Sequence, residues 1–128
     1  MIRRRSLKPT EYDEQKALFD WAYLRKGQIP ELELLMHIPN GGYRNRVEAA
    51  RFKAIGVKPG VPDLLLACAR GGRHGLFIEL KTLQGRVSTL QYCWIRVLMG
   101  QGYAASICFG ADSAIKTIEQ YLRGEWVY

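Results

Sequence analysis

A chain of 128 residues that is 48% hydrophobic is large enough for one core and too short for two. No apolar run approaches the roughly 20 residues of a membrane-spanning helix, and the opening MIRRRSLKPTEY lacks the apolar stretch of a signal peptide, so a soluble cytosolic protein is expected. The formal charge of +7 is concentrated in residues 40–100, where Arg44, Arg46, Arg51, Lys53, Lys58, Arg70, Arg73, Lys81, Arg86 and Arg96 stand against only Glu48, Asp63 and Glu79, an excess that suits a polyanionic partner.

Residues 1–9 are expected to be a flexible basic lead, residues 10–123 the folded domain, and residues 124–128, with Trp126 and Tyr128, a loosely held tail. Thr10, after Pro9, is the N-cap of a helix that Gly27 ends near Lys26, with Leu18, Trp21, Ala22 and Arg25 at helical spacing. Residues 32–38 read as a short strand closed by the turn Pro39-Asn40-Gly41-Gly42. A basic helix spans about Asn45 to Ile55 and stops at Gly56. The apolar run VPDLLLACA then predicts a strand covered on both faces, and LFIELK a second with alternating character, so 62–69 and 75–82 form a hairpin. Ser88 and Gln91 fit a capping box for a helix to Gly100 with an apolar stripe of Leu90, Trp94, Val97 and Leu98. Tyr103 to Phe109 is a further strand, and Asp112 caps a final helix to about Arg123. The order α-β-α-β-β-α-β-α predicts an α/β domain with a mixed central sheet flanked by helices. Cys68, Cys93 and Cys108 are odd in number, lack a C-x-x-C pattern and sit among apolar neighbours, so buried free thiols are expected.

Alternation along 76–81 sets Phe77, Glu79 and Lys81 on one face and Leu76, Ile78 and Leu80 on the other. Asp63, directly after Pro62 at the start of the neighbouring strand, reaches toward that charged pair across the hairpin. Two converging carboxylates are unfavourable without a cation between them, and hard oxygen ligands suit Mg²⁺ or Mn²⁺. Such an ion serves phosphodiester hydrolysis, with Lys81 beside it to position a nucleophile or neutralise charge developing on phosphate. The plainer alternative makes Asp63 a turn residue and Glu79 with Lys81 a surface pair.

Pro62-Asp63, followed by Glu79-Leu80-Lys81, resembles the PD-(D/E)XK nuclease superfamily, whose core is restriction-endonuclease-like. Together with His37-Ile38-Pro39-Asn40-Gly41-Gly42, Gly56-Val57, Gly60-Val61 and the Ser88 to Gln91 block, the pattern over residues 10–122 is similar to the stand-alone phage and bacterial form of the VRR-NUC family. The resemblance implies a metal-dependent, structure-selective DNA endonuclease, similar to Holliday junction resolvases and acting as a homodimer in a bacterial or phage-infected cell; the alternatives are a nicking or linear-duplex nuclease of the same chemistry and a DNA-binding module without catalysis. It implies metal ligation by Asp63, Glu79 and the Leu80 carbonyl, and catalytic support from Lys81 and Gln91. It also implies a glutamate from the first helix. Glu14 is the choice, because it interrupts an inward-facing stripe, with Glu11 a near rival on the same face. Gln91 is equally readable as the N3 member of its capping box. His37 and Asn40-Gly41-Gly42 are near the site only by this resemblance; Asn40, Gly41 and Gly42 would offer backbone amides to phosphate, and Arg44, Arg46, Arg51 and Lys53 would contact DNA without reading sequence.

Overall fold

The computed structural model describes residues 8–39 and 45–127. Its elements are helix α1 (Glu11–Arg25), a single 3-10 turn (Pro30–Leu34), strand β1 (Leu35–His37), helix α2 (Arg46–Ala54), strands β2 (Leu64–Leu66) and β3 (Leu76–Lys81), helix α3 (Thr89–Gly100), strand β4 (Ala104–Phe109) and helix α4 (Ala111–Leu122). The strands form one mixed sheet in the order β1-β2-β3-β4. β1 and β2 are antiparallel, as are β2 and β3, whereas β3 and β4 are parallel and joined through α3. This is the predicted α/β arrangement, a mixed sheet flanked by helices, and no helix among the described residues is long and apolar enough to cross a membrane.

β3 is the axis of the domain, and every one of its residues is buried. Its even residues Leu76, Ile78 and Leu80 join Leu64 and Leu66 of β2, Leu18 and Ala22 of α1, and Ala114, Ile118 and Tyr121 of α4 in the larger cluster. On the opposite face Phe77 meets Ala105 and Ile95 of α3, with Leu98, Met99 and Tyr103 alongside. Glu79 and Lys81 follow Phe77 on that second face, where the apolar layer gives way to chemistry. The β2–β3 connection turns at Gly71 and Gly72, both at positive φ, between the bridged Arg70 and Arg73, and glycine reaches that backbone region without a side-chain clash.

Several boundaries differ from the sequence reading. Residues 32–38 do not form one strand: Pro30 sits in the first turn of the 3-10 segment, and only Leu35–His37 pair with β2. The expected 62–69 strand contracts to three residues, since Pro62 lacks an N–H to extend the ladder. Gly110, at φ 92°, rather than Asp112 precedes the last helix, and Asp112 lies in its first turn. Cys68 and Cys108 are buried but Cys93 is exposed, because it falls on the outer face of α3. Trp126, read as part of a loose tail, packs against the larger core cluster and stacks under the Arg73 guanidinium.

Candidate active site

The register Leu64↔Ile78, continued by one residue, sets Asp63 across from Glu79, and directly opposed residues of an antiparallel pair share a face. Here β2 has ended, so the β3 edge beyond Ile78 is free of strand pairing on that side. The Asp63 carboxylate fills the gap: its Oδ2 accepts the Leu80 N–H at 3.0 Å. A residue's N–H and C=O leave a strand on the same edge, which turns the Leu80 carbonyl toward the same space.

Glu79 is only 2% exposed. Its Oε1 accepts the Gln91 side-chain amide at 2.8 Å and lies 3.4 Å from Lys81 Nζ. Its Oε2 is buried without a hydrogen-bond partner among the described residues. Burial, then the nearby charge of Asp63, pushes the Glu79 carboxyl up to about 7, against the pull of Lys81. Burial also raises Asp63, opposed chiefly by the bond from Leu80 N–H. An orphaned buried oxygen beside a second repelled carboxylate fits a bound cation, and oxygen donors of this kind suit a hard divalent ion. Among the described residues no cluster of three His, Cys, Asp or Glu groups is preassembled.

Gln91 completes its capping box and also reaches Glu79. Its amide oxygen accepts the Ser88 N–H at 2.9 Å and its own N–H bonds Ser88 Oγ at 3.1 Å, completing the capping box, while its amide nitrogen reaches Glu79. The cap thereby aims the donor. Lys81 Nζ sits 3.4 Å from Glu79 and 3.8 Å from Glu11 Oε1, so α1 contributes Glu11 to this cluster.

Glu14 does something else. Its Oε2 accepts the Ala111 N–H at 2.5 Å, capping α4, where a carboxylate satisfies an orphan donor and meets the positive end of the helix. The first-helix carboxylate beside Lys81 is thus Glu11, whereas Glu14, one turn further on, meets the start of α4. His37, on β1, comes close as well, its Nδ1 3.1 Å from the Asp63 carbonyl oxygen. Arg46, Arg51 and Lys53 lie exposed on α2, which is capped by the Asn45 side chain on Glu48 N–H and buries no residue. Asn40, Gly41, Gly42 and Arg44 lie outside the described residues.

One contact escaped the sequence reading, which took Trp94 only as part of the apolar stripe of its helix. Its indole N–H donates to the Pro59 carbonyl at 3.0 Å, on the segment that leads to Asp63. The spacing from Gln91 to Trp94, one helical turn, was the available signal.

A VRR-NUC domain model matches residues 3–112. Among solved structures, the chain is similar to a VRR_NUC domain protein at 35% identity and a TM-score of 0.77, over 90% of this chain and 89% of that one. No curated protein matches it. Sequence and architecture thus agree over most of the length, and the chain belongs to the VRR-NUC family, a nuclease-type domain.

Proposed function

We propose that this protein is a Mg²⁺- or Mn²⁺-dependent endodeoxyribonuclease that hydrolyses phosphodiesters in branched DNA, four-way junctions included, as a homodimer. The observation that carries the reading is the acidic pair: Asp63 and Glu79 oppose one another, both are raised by burial, and Glu79 Oε2 has no partner among the described residues. Asp63, Glu79 and the Leu80 carbonyl would hold the ion, since Mg²⁺ is commonly served by one or two carboxylates together with water and substrate phosphate. A divalent ion bound there supplies Lewis acidity to the phosphodiester and lowers the pKa of a water.

The chain's own side chains do the rest. Lys81, held by Glu79 and Glu11, meets negative charge as it develops on the phosphate. Gln91 fixes the Glu79 carboxylate, leaving the second oxygen for the ion. Glu11 takes the place first given to Glu14 as the first-helix carboxylate at the site. Arg46, Arg51 and Lys53, with Arg44 and the amides of Asn40-Gly41-Gly42, hold phosphates and set register without reading bases. Two symmetric cuts across a junction need two sites related by a two-fold axis, which is the reason for a homodimer. The expected setting, from the resemblance to the stand-alone phage and bacterial form, is the cytoplasm of a bacterial or phage-infected cell.

The test incubates the protein with labelled four-way junction, flap and linear duplex in Mg²⁺, Mn²⁺ or EDTA. Paired cuts in the junction with metal and none in EDTA are expected. No cleavage of any substrate with either ion overturns the enzymatic reading, and equal cleavage of linear duplex overturns the preference for branches.

A further inference from the structure

Helix α3 touches both sides of the acidic pair. From its first turn, Gln91 bonds Glu79 Oε1. One turn further on, Trp94 donates its indole N–H to Pro59, four residues before Asp63. Between them the helix seats directly on the backbone: a Cβ at Gly60 would fall 2.6 Å from Leu90 Cγ and 3.1 Å from Trp94 Cδ1. Gly60 also has φ +85°, so a side chain there would strain the backbone and force Leu90 to shift. Asp63 has no regular strand around it, because β2 begins at Leu64.

We infer that Trp94 is a positioning residue, holding the Pro59–Asp63 segment against α3 so that the Asp63 carboxylate stays opposite Glu79. One rigid helix then sets both acids: Glu79 through Gln91, and Asp63 through Trp94. The catalytic consequence rests on the nuclease reading above; the mechanical one does not. Core packing alone would need the ring of Trp94 but not its N–H, and the two demands separate in Trp94→Phe.

The Leu80 amide reports directly on the Asp63 carboxylate that accepts it, while the Ile78 amide lies within the β2–β3 ladder and reports on the sheet. In Trp94→Phe, native-state exchange of the Leu80 amide is expected to accelerate about fivefold to tenfold relative to Ile78, the scale of one lost hydrogen bond. Junction cleavage is expected to show kcat reduced about tenfold or more with KM for DNA unchanged, because displacement of a ligand impairs the reaction rather than docking. Gly60→Ala, which pushes a methyl toward Leu90 from the other side, is expected to give the same signature. Equal acceleration of both amides, or of neither, overturns the inference. So does accelerated Leu80 exchange with full kcat. If the wild type cleaves nothing, the nuclease reading falls on its own, and the ratio of the two amides still decides whether Trp94 holds Asp63.

Discussion

The two oxygens of Glu79 have different surroundings: Oε1 receives Gln91 and faces Lys81, whereas Oε2 is buried without a partner among the described residues. Burial and the charge of Asp63 raise this carboxyl from 4.5 to about 7, so the folded chain keeps a proton that the unfolded chain has released. The associated stabilisation is complete below the unfolded value and is lost as pH rises through the folded one, with Asp63 raised in the same sense. In EDTA, Tm is therefore expected to fall between about pH 5 and about pH 8, with Glu79 accounting for at most about 3 kcal/mol. Mn²⁺ should flatten that slope by binding the ionised pair. A Tm that rises with pH in EDTA would contradict the account. Glu79→Gln removes the charge while preserving shape, so its melting temperature at about pH 8 should equal or exceed that of metal-free wild type. The same variant should lose the metal-induced rise in Tm and at least about a thousandfold in cleavage; wild-type cleavage would exclude Glu79 from the site.

Helix α1 sends its two acids to different partners. Glu14 caps α4 through Ala111 N–H, while Glu11 lies beside Lys81. Glu14→Ala is expected to cost about 1–2 kcal/mol, the range of a lost cap, seen as a Tm lower by several degrees with cleavage largely kept. Glu11→Ala should reverse the pattern, with Tm nearly unchanged and weaker Mn²⁺ binding by titration. If Glu14→Ala instead loses metal affinity at constant Tm, the assignment of the two acids is inverted. The sequence could not separate them, because residues three apart on a helix share a face and the answer lies in where an element 97 positions away begins. Local signals were legible for the same reason in reverse. Thr10, Asn45 and Ser88 cap their own helices with their own side chains, and each is visible as a start signal. The last helix has no side-chain cap of its own, so Asp112 was read as one where Glu14 supplies it. Alternation on β3 likewise sufficed to align Glu79 with Lys81, whereas the exposure of Cys93 depended on which face of α3 meets the sheet.

Across the whole molecule, apolar burial and positive charge are segregated. The sheet, α1, α3 and α4 supply every buried residue of the two core clusters apart from Leu32 and Cys68, and α2 supplies none. A helix that contributes nothing to the core yet carries Arg46, Arg51 and Lys53 against Glu48 is free to be replaced in charge without loss of fold. Arg46 and Lys53 stand seven residues apart, two turns, and so share a face on which one phosphate backbone would lie. Each phosphate contact releases counterions and contributes about 0.9 to the slope of log K against log salt on duplex DNA. The combined Arg46→Ala and Lys53→Ala variant is therefore expected to weaken binding to all sequences alike and to lower that slope by about 2. Its Tm should stay within about 4 °C of wild type, since exposed substitutions seldom exceed about 0.5 kcal/mol each. Titration of labelled junction DNA at several salt concentrations, with EDTA present to prevent cleavage, measures the slope. A slope equal to wild type would move the DNA-binding face away from α2, and a slope reduced together with a large fall in Tm would show that the helix stabilises the domain as well.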